Sequence, residues 1–222
     1  MTSAIITISR EYGSGGRDVG RMLAEELGLP LFDKEIMHIA SERSGLPADF
    51  VEERGEKVPS PFWQTLQRLS INVPNVRMPS GYNSLAVAKA MTCSSAARND
   101  ADHLFHVQAS AIREIAAAGG CVIIGRCAGY ILRDSPNLLS VFIRGDFECR
   151  VQRAIQTYGY SEKTAARDVR LVDKHRANYY QFYTEQQWGA ACNYDLVVNT
   201  SYSDIPGAVA VIKAMLCAKE SA

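Results

Sequence analysis

The stretch Ala4-Ile5-Ile6-Thr7-Ile8-Ser9-Arg10-Glu11-Tyr12-Gly13-Ser14-Gly15-Gly16-Arg17-Asp18-Val19-Gly20 decides how the chain is read. Ile5, Ile6, Thr7 and Ile8 form the β-branched run expected of a strand buried on both faces. Gly13, Gly15 and Gly16 then permit left-handed backbone angles and let main-chain N–H groups approach a ligand. From Gly16 to Leu27 the apolar residues Val19, Met22, Leu23 and Leu27 share one helical face, and Gly28 with Pro30 ends the helix. A helix that opens behind a glycine turn offers unsatisfied N–H groups and partial positive charge to whatever occupies the turn. Arg10 and Arg17 flank that place as counter-charges, so the spacing predicts a phosphate-binding strand–loop–helix. A glycine-rich turn without a ligand stays open as the plainer reading. The motif G-x-x-x-x-G-K-[ST] is not met, and the dinucleotide fingerprint fails because Asp18 stands where its last glycine belongs.

Working outward, Leu31-Phe32 reads as a second strand ending at Asp33, which can cap a helix from Lys34 to about Arg43 closed by Gly45. Between Leu46 and Asp100 five prolines, Pro47, Pro59, Pro61, Pro74 and Pro79, break the pattern. Helical pieces are expected at Pro47 to Gly55 and Phe62 to Ile71, with Phe62 and Trp63 as local core, in a mobile insertion. A helix from about Asp102 to Ala118 follows, with Leu104, Val107, Ala111, Ile115 and Ala118 inward. His103 and His106 on it have no third partner for a metal. Further strands are expected at Cys121–Ile124, Leu138–Ile143 and Leu196–Asn199. Helices are expected at Cys127–Arg133, Phe147–Gly159, Ser161 (as N-cap) to about Asn178, and Ser203–Cys217, the last facing inward with Ala208, Val209, Ile212 and Met215. Alternating strands and helices imply an α/β fold with a parallel sheet covered on both faces. Ligands of such sheets sit beyond the strands' carboxyl ends, which gathers the glycine turn, Asp33, Arg126, Arg144 and Asn199 around one crevice.

The 222 residues are 47% hydrophobic and 22% charged with zero formal net charge, an ordinary globular composition. Nothing in that balance points to nucleic acid or an anionic membrane as partner. The N-terminal apolar segment is too short for a signal peptide and runs into Arg10 and Glu11, and no apolar run spans a bilayer. Cys93, Cys121, Cys127, Cys149, Cys192 and Cys217 lack paired spacing and read as reduced, mostly packed thiols of a cytoplasmic protein.

A basic stretch runs from Arg150 to Arg176, in which Arg167, Arg170 and Lys174 fall at i, i+3 and i+7 on one helical face. A solvated helix with acid–base pairs, Asp173 and Arg176 among them, would explain it. Beside a phosphate loop the same cations can close over a transferring phosphoryl group as a lid.

These residues together resemble the cytidylate kinase-like proteins, a nucleoside monophosphate kinase branch of the P-loop kinases. The likeness rests on Ile5 to Gly20, on Leu31-Phe32-Asp33-Lys34-Glu35, on Val122 to Ala128 around Gly125-Arg126, and on Asp173 to Tyr180. It implies a three-layer P-loop-type fold with a five-stranded parallel sheet, a helical acceptor-binding insertion at about 46–101 and a basic lid at about 147–190. The core is then 1–45, 102–145 and 194–222 of a single domain, 1–222. It implies ATP- and Mg²⁺-dependent phosphoryl transfer to a nucleoside monophosphate, CMP or dCMP first. Arg10, Gly13, Ser14, Gly15, Gly16, Arg17 and Asp18 would bind the nucleotide. Asp33, Lys34 and Arg126 would hold the acceptor, while Arg17, Arg170, Lys174 and Arg176 would act on the transferring group. Four positions depart from the family pattern. Gly16 stands at the phosphate-loop lysine, Asp18 at the Mg-binding hydroxyl, Cys127 at a base-contacting aspartate and Ile39 at a phosphate-binding arginine. The alternative from a different class is a nucleotide- or phosphate-binding protein of this fold without transfer activity.

Overall fold

The first strand, β1 (Ile5–Arg10), lies at the centre of a five-stranded sheet of order β2-β3-β1-β4-β5. Its partners are β2 (Leu31–Phe32), β3 (Cys121–Ile124), β4 (Leu138–Arg144) and β5 (Leu196–Asn199), all parallel. The fold is taken from a computed structural model that describes residues 3–44 and 102–220. The insertion expected at about 46–101, with Phe62, Trp63 and Cys93, lies outside the described residues, as does Gly45. The helices are α1 (Gly16–Leu27), α2 (Glu35–Ser44), α3 (102–117), α4 (Ala128–Ile131), α5 (Phe147–Tyr158), α6 (Glu162–Thr184) and α7 (Thr200–Glu220).

Strand alternation divides the core into two layers. Ile6, Ile8, Val122, Leu139, Val141 and Ile143 face α1 and α7, where Val19, Leu23, Ala208, Val209 and Ile212 close one cluster. Ile5, Cys121, Ile123 and Leu138 face the other way, against Ile36, Ala109, Ile112, Ile131, Tyr179 and Tyr180. Small residues set the approach of the helices. A Cβ on Gly129 would lie 3.1 Å from Thr7 Oγ1 and 3.4 Å from Ser140 Cβ, so α4 presses on the sheet where β1 and β4 carry the small side chains of Thr7 and Ser140.

The pattern and order of elements match the sequence reading, with differences at the faces and ends. The buried residues of α3 are Leu104, Gln108, Ala109, Ala111, Ile112 and Ala116, so Ala118 is exposed and the stripe is turned toward Gln108. Gln108 is buried because Tyr179 OH donates to its Oε1 at 3.3 Å and its Nε2 faces Met37 Sδ at 3.7 Å. A buried amide with two partners joins Val107, which is half-buried against Met37, Ala40 and Leu104, on the inward side. On α7, Leu216 is buried and Met215 is exposed. Leu216 follows Val209 and Ile212 at i+7 and i+4 on the buried face, and the helix is broken before that stretch at Asp204 (φ 54°), whose Oδ1 accepts the Gly207 N–H at 2.7 Å and restarts it with Pro206 in its first turn. Ser161 precedes α6 without a side-chain cap bond, and α6 continues past Asn178 to Thr184 because Tyr179 and Tyr180 are buried against the sheet. Asp33 does not cap α2; its side chain turns to Arg17, and the Asp33 N–H instead donates to Glu35 Oε2 at 2.9 Å. That backbone donor holds the Glu35 carboxyl below its ordinary range.

Among the described residues no helix is long and apolar enough to cross a membrane. The thiols are less uniformly packed than expected: Cys121 and Cys127 are buried, while Cys149, Cys192 and Cys217 are exposed. Burial pushes the Cys121 thiol up to about 11, so it stays protonated and unreactive at pH 8. Iodoacetamide at that pH is expected to modify Cys149, Cys192 and Cys217 and to spare Cys121 and Cys127, as read by peptide mass mapping.

Candidate active site

The glycine loop leaves β1 after Arg10 and is closed by Ser14, whose hydroxyl donates to the Glu11 carbonyl at 2.8 Å. Gly13 and Gly15 have φ of 78° and 77°, the left-handed region. At Gly13 no side chain fits in any case, since a Cβ there would lie 2.4 Å from the Arg150 carbonyl oxygen. Gly15 is the N-cap of α1 and supplies no side-chain cap, so the N–H groups of the first turn are left for a ligand.

The loop carbonyls are occupied from behind. Arg176 Nη1 donates to the Arg10 carbonyl at 3.2 Å, Arg150 Nη1 to that of Tyr12 at 3.1 Å, and Arg153 Nη1 to that of Gly13 at 3.1 Å. Thr200 Oγ1 donates to the Ser14 carbonyl at 2.7 Å. In a trans peptide the next N–H points opposite the carbonyl, so these donors turn the N–H groups of Gly13 and Gly15 toward the open side. Three of the four donors are guanidinium groups of α5 and α6. They fix the loop as an anion-facing concavity.

Arg150 and Asp173 anchor this arrangement. Arg150 is buried and pairs with Asp173, while its Nε donates to the Gly145 carbonyl at 3.0 Å and lies 3.4 Å from Glu11 Oε2. Asp173 Oδ1 accepts the Tyr12 N–H at 2.7 Å, and Glu11 Oε2 accepts the Gly145 N–H at 2.9 Å. Asp173, a candidate for acid–base pairing with Arg176 on a solvated helix, instead forms a pair with the buried Arg150. Tyr12 packs edge-on to Tyr160 and lies under the Arg176 guanidinium, 5.4 Å from the ring centroid. Burial and the hydrogen bond to Tyr160 push the Tyr12 phenol up, so it remains neutral.

Two adjoining cavities open at the carboxyl ends of β1 and β3. One lies over the glycine loop and is lined by Gly13, Gly15, Gly16, Arg17 and Tyr158. The other is lined by Ser9, Arg126, Cys127, Tyr180, Trp188 and Tyr194. Arg10 and Arg176 line both. The second cavity thus has three guanidinium groups, Arg10, Arg126 and Arg176, and no carboxylate among its described lining residues. Its wall is ordered by Ser9, which accepts a hydrogen bond from Trp188 Nε1 at 3.1 Å. Arg126 stands on a strained turn: Gly125, Arg126 and Cys127 have φ of 76°, 57° and 55°. For the two residues with a Cβ this costs roughly 1–2 kcal/mol each. The turn is held by the Gly125 N–H to Ile8 O bond at 2.9 Å and the Ala128 N–H to Gly125 O bond at 3.0 Å. Arg126 Nη1 is buried with no hydrogen-bond partner among the described residues. A buried guanidinium nitrogen in that state calls for an anion.

The structure thus brings Arg10, Gly13, Gly15, Gly16, Arg17, Arg126 and Arg176 together. Ser14 is buried and acts within the loop. Arg17 is about half exposed and its Nε lies 2.6 Å from Asp33 Oδ2, which brings Asp33 to the rim. Asp18 pairs with Arg21 at 2.9 Å and lines neither cavity, and Lys34 is exposed. Arg170 lies over the Phe147 ring at 4.3 Å and Lys174 is exposed; neither lines a cavity. Arg144 and Asn199, expected at the crevice, instead meet Asp146 at 3.8 and 3.1 Å. The residues that sequence reasoning missed are Glu11, Arg150, Arg153, Asp173 and Thr200. The i, i+3 spacing of Arg150 and Arg153 was the available signal; nothing local marks Thr200. Among the described residues no group of three or more His, Cys, Asp or Glu side chains could hold a metal ion.

A strand order of 2-3-1-4-5 with a glycine loop between β1 and α1 defines an α/β protein of the P-loop type. The model of the cytidylate kinase-like family matches residues 5–202, and the chain belongs to that family. Among solved structures it is similar to an uncharacterized protein from Eubacterium ventriosum ATCC 27560, with 28% identity, a TM-score of 0.65, and coverage of 96% of this chain and 98% of that one. It is also similar to shikimate kinase from Acinetobacter baumannii, with 13% identity, a TM-score of 0.49, and coverage of 100% and 94%. A gluconokinase from Sinorhizobium meliloti 1021 shows 13% identity, a TM-score of 0.48, and coverage of 97% and 95%. No curated protein matches the chain.

The Arg150–Asp173 pair carries a stability prediction. Asp173→Asn strands a buried guanidinium and is expected to cost about 3 kcal/mol in urea unfolding. Arg21→Ala, which breaks the exposed pair with Asp18, should change stability by less than about 0.5 kcal/mol.

Proposed function

We propose that this chain transfers the γ-phosphoryl group of ATP to a nucleoside monophosphate, with CMP and dCMP the first acceptors to test. One observation carries the reading: three guanidinium groups and no described carboxylate line a cavity that adjoins an anion-facing glycine loop. Family membership supports the reaction class, and the resemblance supplies the acceptor.

In this reading the N–H groups of the loop and of the first turn of α1 hold the ATP phosphates, with Arg17 at the rim. Arg126 holds the acceptor phosphate, and its unpartnered Nη1 gains a charge-assisted bond. Arg176 spans both cavities and faces the group in transit. The acceptor is already an anion, so no general base is needed; positioning and charge neutralisation suffice. The residues fit a polyphosphate but not a protein-held Mg²⁺. Glu11, the carboxylate of the loop cavity, is committed to Arg150 and the Gly145 N–H. Magnesium enters only as the ion that ATP carries, and no step is routed through it. Arg170 and Lys174 contribute only if α6 shifts relative to the loop.

The second reading, nucleotide binding without transfer, is favoured by Gly16, which leaves the loop without a lysine. The test is ADP production from Mg–ATP with CMP, dCMP, UMP, AMP, GMP or no acceptor. Acceptor-dependent turnover is the expected result; ATP binding by calorimetry with no turnover on any acceptor selects the second reading. Arg126→Met should raise KM for the acceptor at least about tenfold while leaving KM for ATP within about twofold, consistent with loss of one charged hydrogen bond.

A further inference from the structure

The geometry points to an exchange of roles within the glycine loop: Arg10 supplies the phosphate-binding cation, and Gly16 is glycine to make room for it. This inference rests on the phosphotransfer reading and names the residue that replaces the absent lysine.

In the phosphate-loop pattern G-x-x-x-x-G-K, a first glycine and the lysine stand six residues apart, and the lysine reaches the terminal phosphates. Here Arg10, Gly15 and Gly16 occupy those three places, so the middle glycine is kept while cation and glycine trade ends. The packing shows why both cannot carry side chains. A Cβ on Gly16 would lie 2.5 Å from Arg10 Cβ and 3.0 Å from Arg10 Cγ. Real Cβ atoms do not approach to that distance. One side chain fits between the end of β1 and the first turn of α1, and in this protein it starts from the strand.

The position of Arg10 suits the task. It is 6% exposed and lines both the cavity over the glycine loop and the cavity that holds Arg126. Arg17, the other candidate, is about half exposed and lines the loop cavity alone. A guanidinium presents a fork of donors that can meet two phosphate oxygens at once. During transfer the bond from phosphorus to the ADP oxygen breaks and a bond to the acceptor oxygen forms. Arg10 neutralises charge on the migrating group and neither gives nor takes a proton.

The test uses Arg10→Met, which keeps the buried stem, together with Gly16→Lys and the double variants Arg10→Gly/Gly16→Lys and Arg10→Ala/Gly16→Lys. Melting temperature reports packing, and calorimetric Mg–ATP affinity with acceptor-dependent ADP release reports function. Arg10→Met is expected to melt close to wild type and to lose about 100-fold in turnover, the scale of removing one donor to transition-state charge. Gly16→Lys alone should melt well below wild type. Arg10→Gly/Gly16→Lys should recover melting and ATP binding, whereas Arg10→Ala/Gly16→Lys, which retains the clashing Cβ, should recover neither. Wild-type turnover in Arg10→Met, or wild-type melting in Gly16→Lys, overturns the exchange while leaving the phosphotransfer reading in place. A wild-type protein that binds no ATP overturns that reading and the role of Arg10 together.

Discussion

The buried pairing of Arg150 with Asp173 is the constraint on which the site depends. Removing two charges from water is costly, and their attraction repays it only when the remaining donors and acceptors are also met. Here they are: Arg150 reaches the carbonyls of Tyr12 and Gly145, and Asp173 takes the Tyr12 N–H. The pair therefore holds the backbone of the glycine loop from two helices at once. With Arg153 and Thr200 it occupies the loop's carbonyls, and the peptide plane does the rest by turning amides to the opposite side. A flexible run containing Gly13, Gly15 and Gly16 would otherwise lose considerable entropy on adopting one shape. The clamp imposes that shape before any ligand arrives.

Helix α6 serves two purposes along its length. Its middle carries Asp173 and Arg176 to the glycine loop, and its last turns bring Tyr179 and Tyr180 against the sheet and the second cavity. The strained turn at Gly125–Cys127 sits opposite, at the end of β3. Left-handed angles at Arg126 and Cys127 persist because β1 and the following helix over-determine the turn, and the result is a guanidinium in the lining of the second cavity. Strain at one strand end and a buried ion pair at the other build one anion-facing crevice.

The strands were legible because each is a short β-branched or apolar run bounded by glycine or a polar turn, and four of the five begin and end within one residue of expectation. Helix faces were less legible. Met215 and Leu216 both stand at helical spacing from the inward residues, Met215 from Ala208 and Ile212 and Leu216 from Val209 and Ile212, and the packing buries Leu216. Gln108 is polar and was not read as core, yet Tyr179 and Met37 give its amide partners across three helices. In the site, glycine positions and Arg126 were readable from spacing and resemblance. Arg150, Asp173 and Thr200 were not, since their partners lie far away along the chain: Asp173 meets Tyr12 across 161 residues and Thr200 meets Ser14 across 186.

By itself the sequence determined the α/β class, the strand–loop–helix at the N-terminus and the family, because local periodicity, glycine spacing and short motifs are properties of neighbouring residues. Only the tertiary structure decided which arginines face the crevice and which face water. Arg10, Arg126 and Arg176 converge from a strand, a turn and a helix, Arg17 stays at the rim against Asp33, and Arg170 rests on Phe147 away from both cavities. That selection is made by packing distance, as at Arg10 and Gly16, where two Cβ positions only 2.5 Å apart allow one of the two residues to carry a side chain.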